Sequence, residues 1–96
     1  MKKGYLLLKV SVLDPNLFKT YPVLSESIIA KYGGKYIFRG GKFDEIEGKW
    51  PEQRNVLVEF ESVSRAKEFY NSEEYQEALK IRQTSTKTDL IIIEGY

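Results

Sequence analysis

Hydrophobic positions fall into four short runs suited to strands, separated by stretches in which they recur every three or four residues. From Tyr5 to Val12, Leu6, Leu8, Val10 and Val12 share one face and Tyr5, Leu7, Lys9 and Ser11 the other, so neither face is freely solvated. Asp14-Pro15 predicts an N-cap followed by proline at the first helical position. Leu17, Tyr21, Leu24, Ile28 and Tyr32 form an apolar stripe behind it, ended by Gly33, and Pro22 inside the stripe predicts a kink or a break into a short turn plus a longer helix. A strand follows at Lys35–Arg39 and another at Asn55–Phe60.

Between those two strands, Lys42-Phe-Asp-Glu-Ile-Glu47, Gly48 and Lys49-Trp-Pro51 predict a polar hairpin or irregular arm, because Gly48 turns the chain and Pro51 forbids a central strand. Ser62 can cap a helix carrying Val63, Ala66, Phe69 and Tyr70 on one side, and Asn71-Ser72 interrupts it. Ser72-Glu-Glu74 starts a further helix with acids in its first turn, and Tyr75, Ala78, Leu79 and Arg82 form its inner stripe. Thr84–Asp89 reads as a polar connection, and Leu90–Glu94 as the last strand.

Strand, helix, strand, strand, helix, strand is the ferredoxin-like α+β arrangement: a four-stranded antiparallel sheet with helices on one face, formed by residues 1–96 as a single domain. Helices on one side leave the other sheet face bare, and Tyr5, Leu7, Ile37, Leu57, Leu90 and Ile92 are expected there. An apolar face of that extent marks an interface, and two such sheets packed face to face would bury it as a homodimer.

The chain is organised around Lys31-Tyr-Gly-Gly-Lys-Tyr-Ile-Phe-Arg-Gly-Gly-Lys-Phe43, which holds a helix stop, a strand and Arg39 just before a glycine pair. In 96 residues, Lys+Arg 15 against Asp+Glu 14 leaves a net charge of +1, which argues against a basic footprint for nucleic acid or anionic membranes. With Cys 0 there is no disulfide frame or thiolate, and with His 0 the commonest general base, metal ligand and axial haem ligand are missing. No cofactor and no metal is expected. The acidic arm Asp44, Glu45 and Glu47 has carboxylates but no other ligand type, and reads as a solvated loop. Lys9 ends the opening apolar run early and no apolar run is long enough to span a membrane, so a mature cytoplasmic protein is expected.

The chain resembles the small bacterial DUF1330 family of the dimeric α+β barrel superfamily over nearly its whole length. The resemblance rests on Gly4-Tyr5, Asp14-Pro15 with Tyr21, Lys31-Tyr-Gly-Gly-Lys35, Arg39-Gly-Gly41, Glu47-Gly-Lys-Trp50, Phe69-Tyr-Asn-Ser72 with Tyr75-Gln76, and Glu94-Gly95. It implies a homodimer whose sheets close into a barrel. It also implies a superfamily holding cofactor-free monooxygenases, lactone isomerases, haem enzymes and regulatory domains. The family itself implies no activity, and no catalytic motif carries over residue by residue.

Candidate chemistry gathers in three places. Arg39, Glu59, Lys9 and Glu94, one per strand and alternating in sign, are expected as a ladder on the sheet face away from the helices. That ladder is either a structural row of ion pairs or a polar site in which Arg39 holds an anion and a carboxylate moves a proton. Tyr21, Tyr32, Tyr36, Phe69, Tyr70 and Tyr75 can converge on the gap between helices and sheet, as core or around a flat aromatic or small amphipathic ligand. Arg39-Gly40-Gly41 can present backbone N–H groups to an anion or simply form a bulge or turn, and Trp50 is expected to pack across the partner subunit. The leading reading is a homodimeric protein that binds a small organic molecule through Arg39, Tyr21, Tyr36, Tyr70, Glu59 and Lys9. The alternative is a cofactor-free monooxygenase or isomerase acting on a small ring, and a third reading is a purely structural module.

Overall fold

A computed structural model of the chain describes residues 1–50 and 54–96; the expectation attached to Pro51 lies outside the described residues. The elements run β1 (Gly4–Val12), α1 (Pro15–Phe18), α2 (Tyr21–Lys31), β2 (Lys35–Arg39), β3 (Arg54–Phe60), α3 (Val63–Asn71), α4 (Glu73–Ser85) and β4 (Thr86–Glu94). The four strands form one antiparallel sheet in the order β2-β3-β1-β4, with all helices on one face. This is the α+β arrangement expected from the sequence.

Local chemistry accounts for the element ends. Asp14 accepts from the Leu17 N–H and Pro15 opens α1. Pro22 then stands in the first turn of α2, so the predicted stripe is two helices with a break at Lys19–Thr20. The break changes which side chains face inward: Phe18, Tyr21, Ser25, Ile28 and Ile29 are buried, while Leu17 and Leu24 are exposed. Gly33, at a φ of 78°, ends α2 in the left-handed region, and its N–H bonds to the Ala30 carbonyl. Ser62 and Ser72 cap α3 and α4 by accepting from the N–H groups of Arg65 and Tyr75.

Two expectations about register are corrected. The polar connection at Thr84–Asp89 is absent; α4 runs to Ser85 and β4 begins at once with Thr86, whose hydroxyl donates to the Arg82 carbonyl. Leu90 and Ile92 pair with Leu8 and Leu6 and face the helices, so Ile91 and Ile93, about half exposed, take the outer face with Tyr5, Leu7 and Leu57. A bulge in β2 is the second source of change. Tyr36 pairs with Val58 and Phe38 with Leu57, which leaves Ile37 as the extra residue and turns Arg39, opposite Val56, toward the helices.

The inner layer is a continuous core of Leu6, Leu8, Val10, Val58, Phe60, Ala66, Phe69, Tyr75, Ala78 and Leu79. At its edge Gly4 lies under the α3 N-terminus, where a Cβ would sit 2.5 Å from backbone atoms of Ser62 and Val63. Backbone cannot swing away as a flexible side chain can. Gly4→Ala is therefore expected to lower stability by about 1–3 kcal/mol, read as a lower urea midpoint at unchanged slope.

Candidate functional site

The helix–sheet gap carries the site. It is lined by Leu6, Leu8, Val10, Val56 and Val58 from the sheet and by Phe18, Tyr21, Ser25, Ile29 and Tyr75 from the helices, with Arg39 and Arg54 along it as well. Its volume is about 40 Å³. One water needs roughly 10–15 Å³ on this measure, so the gap takes a few small groups in line, not a ring system.

The β2 bulge delivers Arg39 to this gap. Its Nη1 donates to Glu26 Oε2 at 3.1 Å and its Nη2 to the Pro22 carbonyl at 3.3 Å, while the guanidinium covers the Tyr36 ring at 4.6 Å. Glu26 is 63% exposed, so this ion pair is weak and an incoming anion can compete with it. Arg54, at the start of β3, lies over Phe18 at 5.9 Å. Burial raises the Tyr36 phenol above its ordinary range even though Ser25 and Arg39 pull it down.

Deeper in, the phenols of Tyr21 and Tyr75 are 2.6 Å apart. Arg82, only 5% exposed, donates from Nε to the Tyr75 oxygen at 3.3 Å, and among the described residues it has no carboxylate partner. Burial pushes the Tyr21 phenol far above its ordinary value, and the neighbouring Tyr75 adds to the shift against the opposing pull of Arg82.

The expected site residues divide between two faces. Arg39, Tyr21 and Tyr36 meet in the gap. Tyr70 packs its ring on Tyr75, 5.6 Å between centroids, and does not line the cavity. Glu59 and Lys9 lie on the outer face: Glu59 accepts from the Tyr5 hydroxyl at 3.1 Å, and Lys9 sits 3.8 Å above the Trp50 ring. The charge ladder is therefore not formed, because the bulge removes Arg39 from that face and the β4 register removes Glu94, which pairs with Gly4.

Trp50 is held by its own chain, donating from Nε1 to Asn55 Oδ1 and from its backbone N–H to Glu45. The arm at 40–50 folds over one end of the outer face and borders an open hollow of about 570 Å³ against Leu7 and Phe38. Arg54 and Arg82 escaped the sequence reading as site residues, whereas Tyr75 stood in it as one of the rings expected around the gap. For Arg82 there was a signal, since an arginine on the buried stripe of a helix needs a partner inside; for Arg54 there was none. Among the described residues no group of three or more acidic side chains could hold a metal, and no helix is long and apolar enough to cross a membrane.

The family model described as "Domain of unknown function (DUF1330)" matches residues 3–96. No curated protein matches the chain. Among solved structures, the RPA0582 protein of unknown function from Rhodopseudomonas palustris is 20% identical with a TM-score of 0.79, covering 99% of this chain and 83% of that one. SnoaB, a cofactor-independent oxygenase from Streptomyces nogalater, is 6% identical with a TM-score of 0.70, covering 100% and 95%. A dimeric ferredoxin-like protein of unknown function from Thermobifida fusca is 7% identical with a TM-score of 0.57, covering 97% and 91%. At these identities the likeness shows the fold alone.

The buried phenol sets a pH dependence. The folded state retains the Tyr21 proton that the unfolded chain gives up near the ordinary value of 10.0, so this contribution is fully present below that pH and is lost progressively as pH rises from there toward the raised folded value. Urea midpoints should hold steady through neutral pH and fall in alkali, with a shallower alkaline fall in Tyr21→Phe.

Proposed function

We propose, for a chain that belongs to the DUF1330 family, that two copies pair through the outer sheet face and that each takes a small organic acid into its helix–sheet gap. The observation that carries the ligand reading is the inward turn of Arg39. A guanidinium with one exposed, displaceable carboxylate partner stands on a largely apolar cavity that Arg54 and Ser25 also line and whose inner end carries phenols. Charge-assisted bonds from Arg39 would hold the carboxylate, and Leu8, Val10 and Val56 would cover the carbon chain. The small volume favours a slender acid over the flat aromatic considered from the sequence.

Pairing is supported by the outer face itself. Phe38, Ile91 and Ile93 are each about half exposed on one side of a single sheet, and the helices pack on the other side. Proteins of this fold from Thermobifida fusca and Bacteroides fragilis are described as dimeric.

A second reading, a cofactor-free oxygenase or isomerase, draws on the fold shared with SnoaB and on phenols and a guanidinium lining one cavity. Arg39 would then steady an enolate. The proton would pass through a phenol, since Glu59 lies across the sheet from the gap. Arg39→Ala separates the two, abolishing turnover in the second and weakening affinity alone in the first. A module without ligand is the third reading, in which Arg39→Met alters dimer stability and nothing else.

Two experiments test the leading proposal. Titrating 4-methylpentanoate into the protein should shift amide NMR signals of Leu8, Val10, Ser25 and Tyr36, and Arg39→Met should weaken that binding by about tenfold or more. Shifts confined to Tyr5, Leu7 and Leu57 would place the acid on the wrong face and overturn it. In sedimentation at micromolar concentration, Ile91→Lys should convert a dimer to a monomer; an unchanged dimer would rule out this pairing face.

A further inference from the structure

The inner end of the gap contains more donors than acceptors. Arg82 can only donate, and its Nε bonds to the Tyr75 oxygen at 3.3 Å, beside the Tyr21 phenol that this oxygen contacts. Each phenol brings one O–H proton. The 2.6 Å contact between the two oxygens uses one of these protons, whichever residue supplies it. The other proton has no acceptor among the described residues. Tyr75 is fully buried and Tyr21 is 8% exposed, so the surplus donor faces the gap and not the outer surface. A buried unpaired hydroxyl carries a desolvation cost that native interiors seldom leave unanswered.

Both phenols line the gap, whose walls carry Leu6, Leu8, Ile29, Val58 and Phe69 as well as Ser25 and Tyr36. A water that accepts from the pair brings two further O–H protons that need acceptors in turn. An oxygen carried on an apolar frame needs only the one bond that the phenol pair offers. The phenols also polarise each other and stand beside a buried cation, which strengthens the bond to an electron-rich oxygen.

We infer that the Tyr21–Tyr75 pair, backed by Arg82, is a subsite for a ligand oxygen that accepts without donating. The bound molecule is thus an oxo acid, with its carboxylate at Arg39 and a ketone or enolate oxygen at the phenols. This rests on the acid-binding reading of the gap and extends it to the substrate class. Tyr21 and Tyr75 are the contacting residues and Arg82 is a positioning residue. The pair keeps one surplus proton when either phenol is removed singly, because the lost donor is also the lost acceptor.

The test compares levulinate with 4-methylpentanoate, acids of nearly the same shape in which a ketone replaces a methyl-bearing carbon. The unmodified protein should bind levulinate about tenfold more tightly, and the ketone carbon resonance of bound levulinate should move downfield. Tyr21→Phe should keep much of the preference through the remaining Tyr75 hydroxyl. The triple variant Tyr21→Phe/Tyr75→Phe/Arg82→Met replaces the whole network with apolar groups of similar size, which spares the fold an unpaired buried charge. It should bind the two acids equally, having lost the preference for the ketone. Equal binding of both acids by the unmodified protein would overturn this inference and leave the acid-binding reading standing. Failure of both acids to bind would overturn both. Should the triple variant not fold, the downfield carbon shift in the unmodified protein decides, and its absence in a levulinate complex overturns the subsite.

Discussion

The structure depends on the burial of one tyrosine. Tyr75 has no exposed surface, and its ring meets Phe69, Tyr70 and Tyr21, so a single side chain of α4 ties α2 and α3 to the sheet beneath. Truncating an aromatic so placed costs about 3–5 kcal/mol in comparable cores. A phenol in that position brings an oxygen into the interior, and the oxygen must be bonded. Tyr21 and Arg82 meet that need, and in doing so they make the inner end of the gap polar. The polar end of the candidate site is thus a consequence of how the core is anchored.

The second constraint is that one sheet has two apolar faces and helices for only one. The inner face closes around the aromatic core. The outer face keeps Tyr5, Leu7, Leu57, Ile91 and Ile93, and the arm at 40–50 covers one end of it. Covering the rest with a second copy would leave each gap on the far side of its sheet. Ligand binding and pairing would then use opposite faces of the same four strands.

The fold was legible because alternation, caps and breakers agreed along most of the chain. Asp14-Pro15, Ser62 and Ser72 each mark a helix start by a side chain that accepts from the first turn. Side-chain direction was legible only where one face was distinctly polar. In Leu90-Ile91-Ile92-Ile93 either parity gives an apolar face, so the alternation does not say which residues face the helices; pairing with β1 does. Arg39 was legible as a candidate but its position was not, because a one-residue bulge at Ile37 reverses the facing of everything after it and has no signature in Lys35-Tyr-Ile-Phe-Arg39. Glu59 and Lys9 were grouped with Arg39 on a regular register that the strand does not keep. The phenol pair needed two helices to meet, a contact between residues 54 positions apart.

An acid-binding cavity in each of two paired copies is best tested by native mass spectrometry of protein purified gently from its own host. The account predicts a dimer carrying one small acidic molecule per chain, released on mild activation and identified as an oxo acid by its fragments. A bare dimer under the same gentle conditions would contradict the ligand half of the account, and a monomer would contradict the pairing of the outer faces.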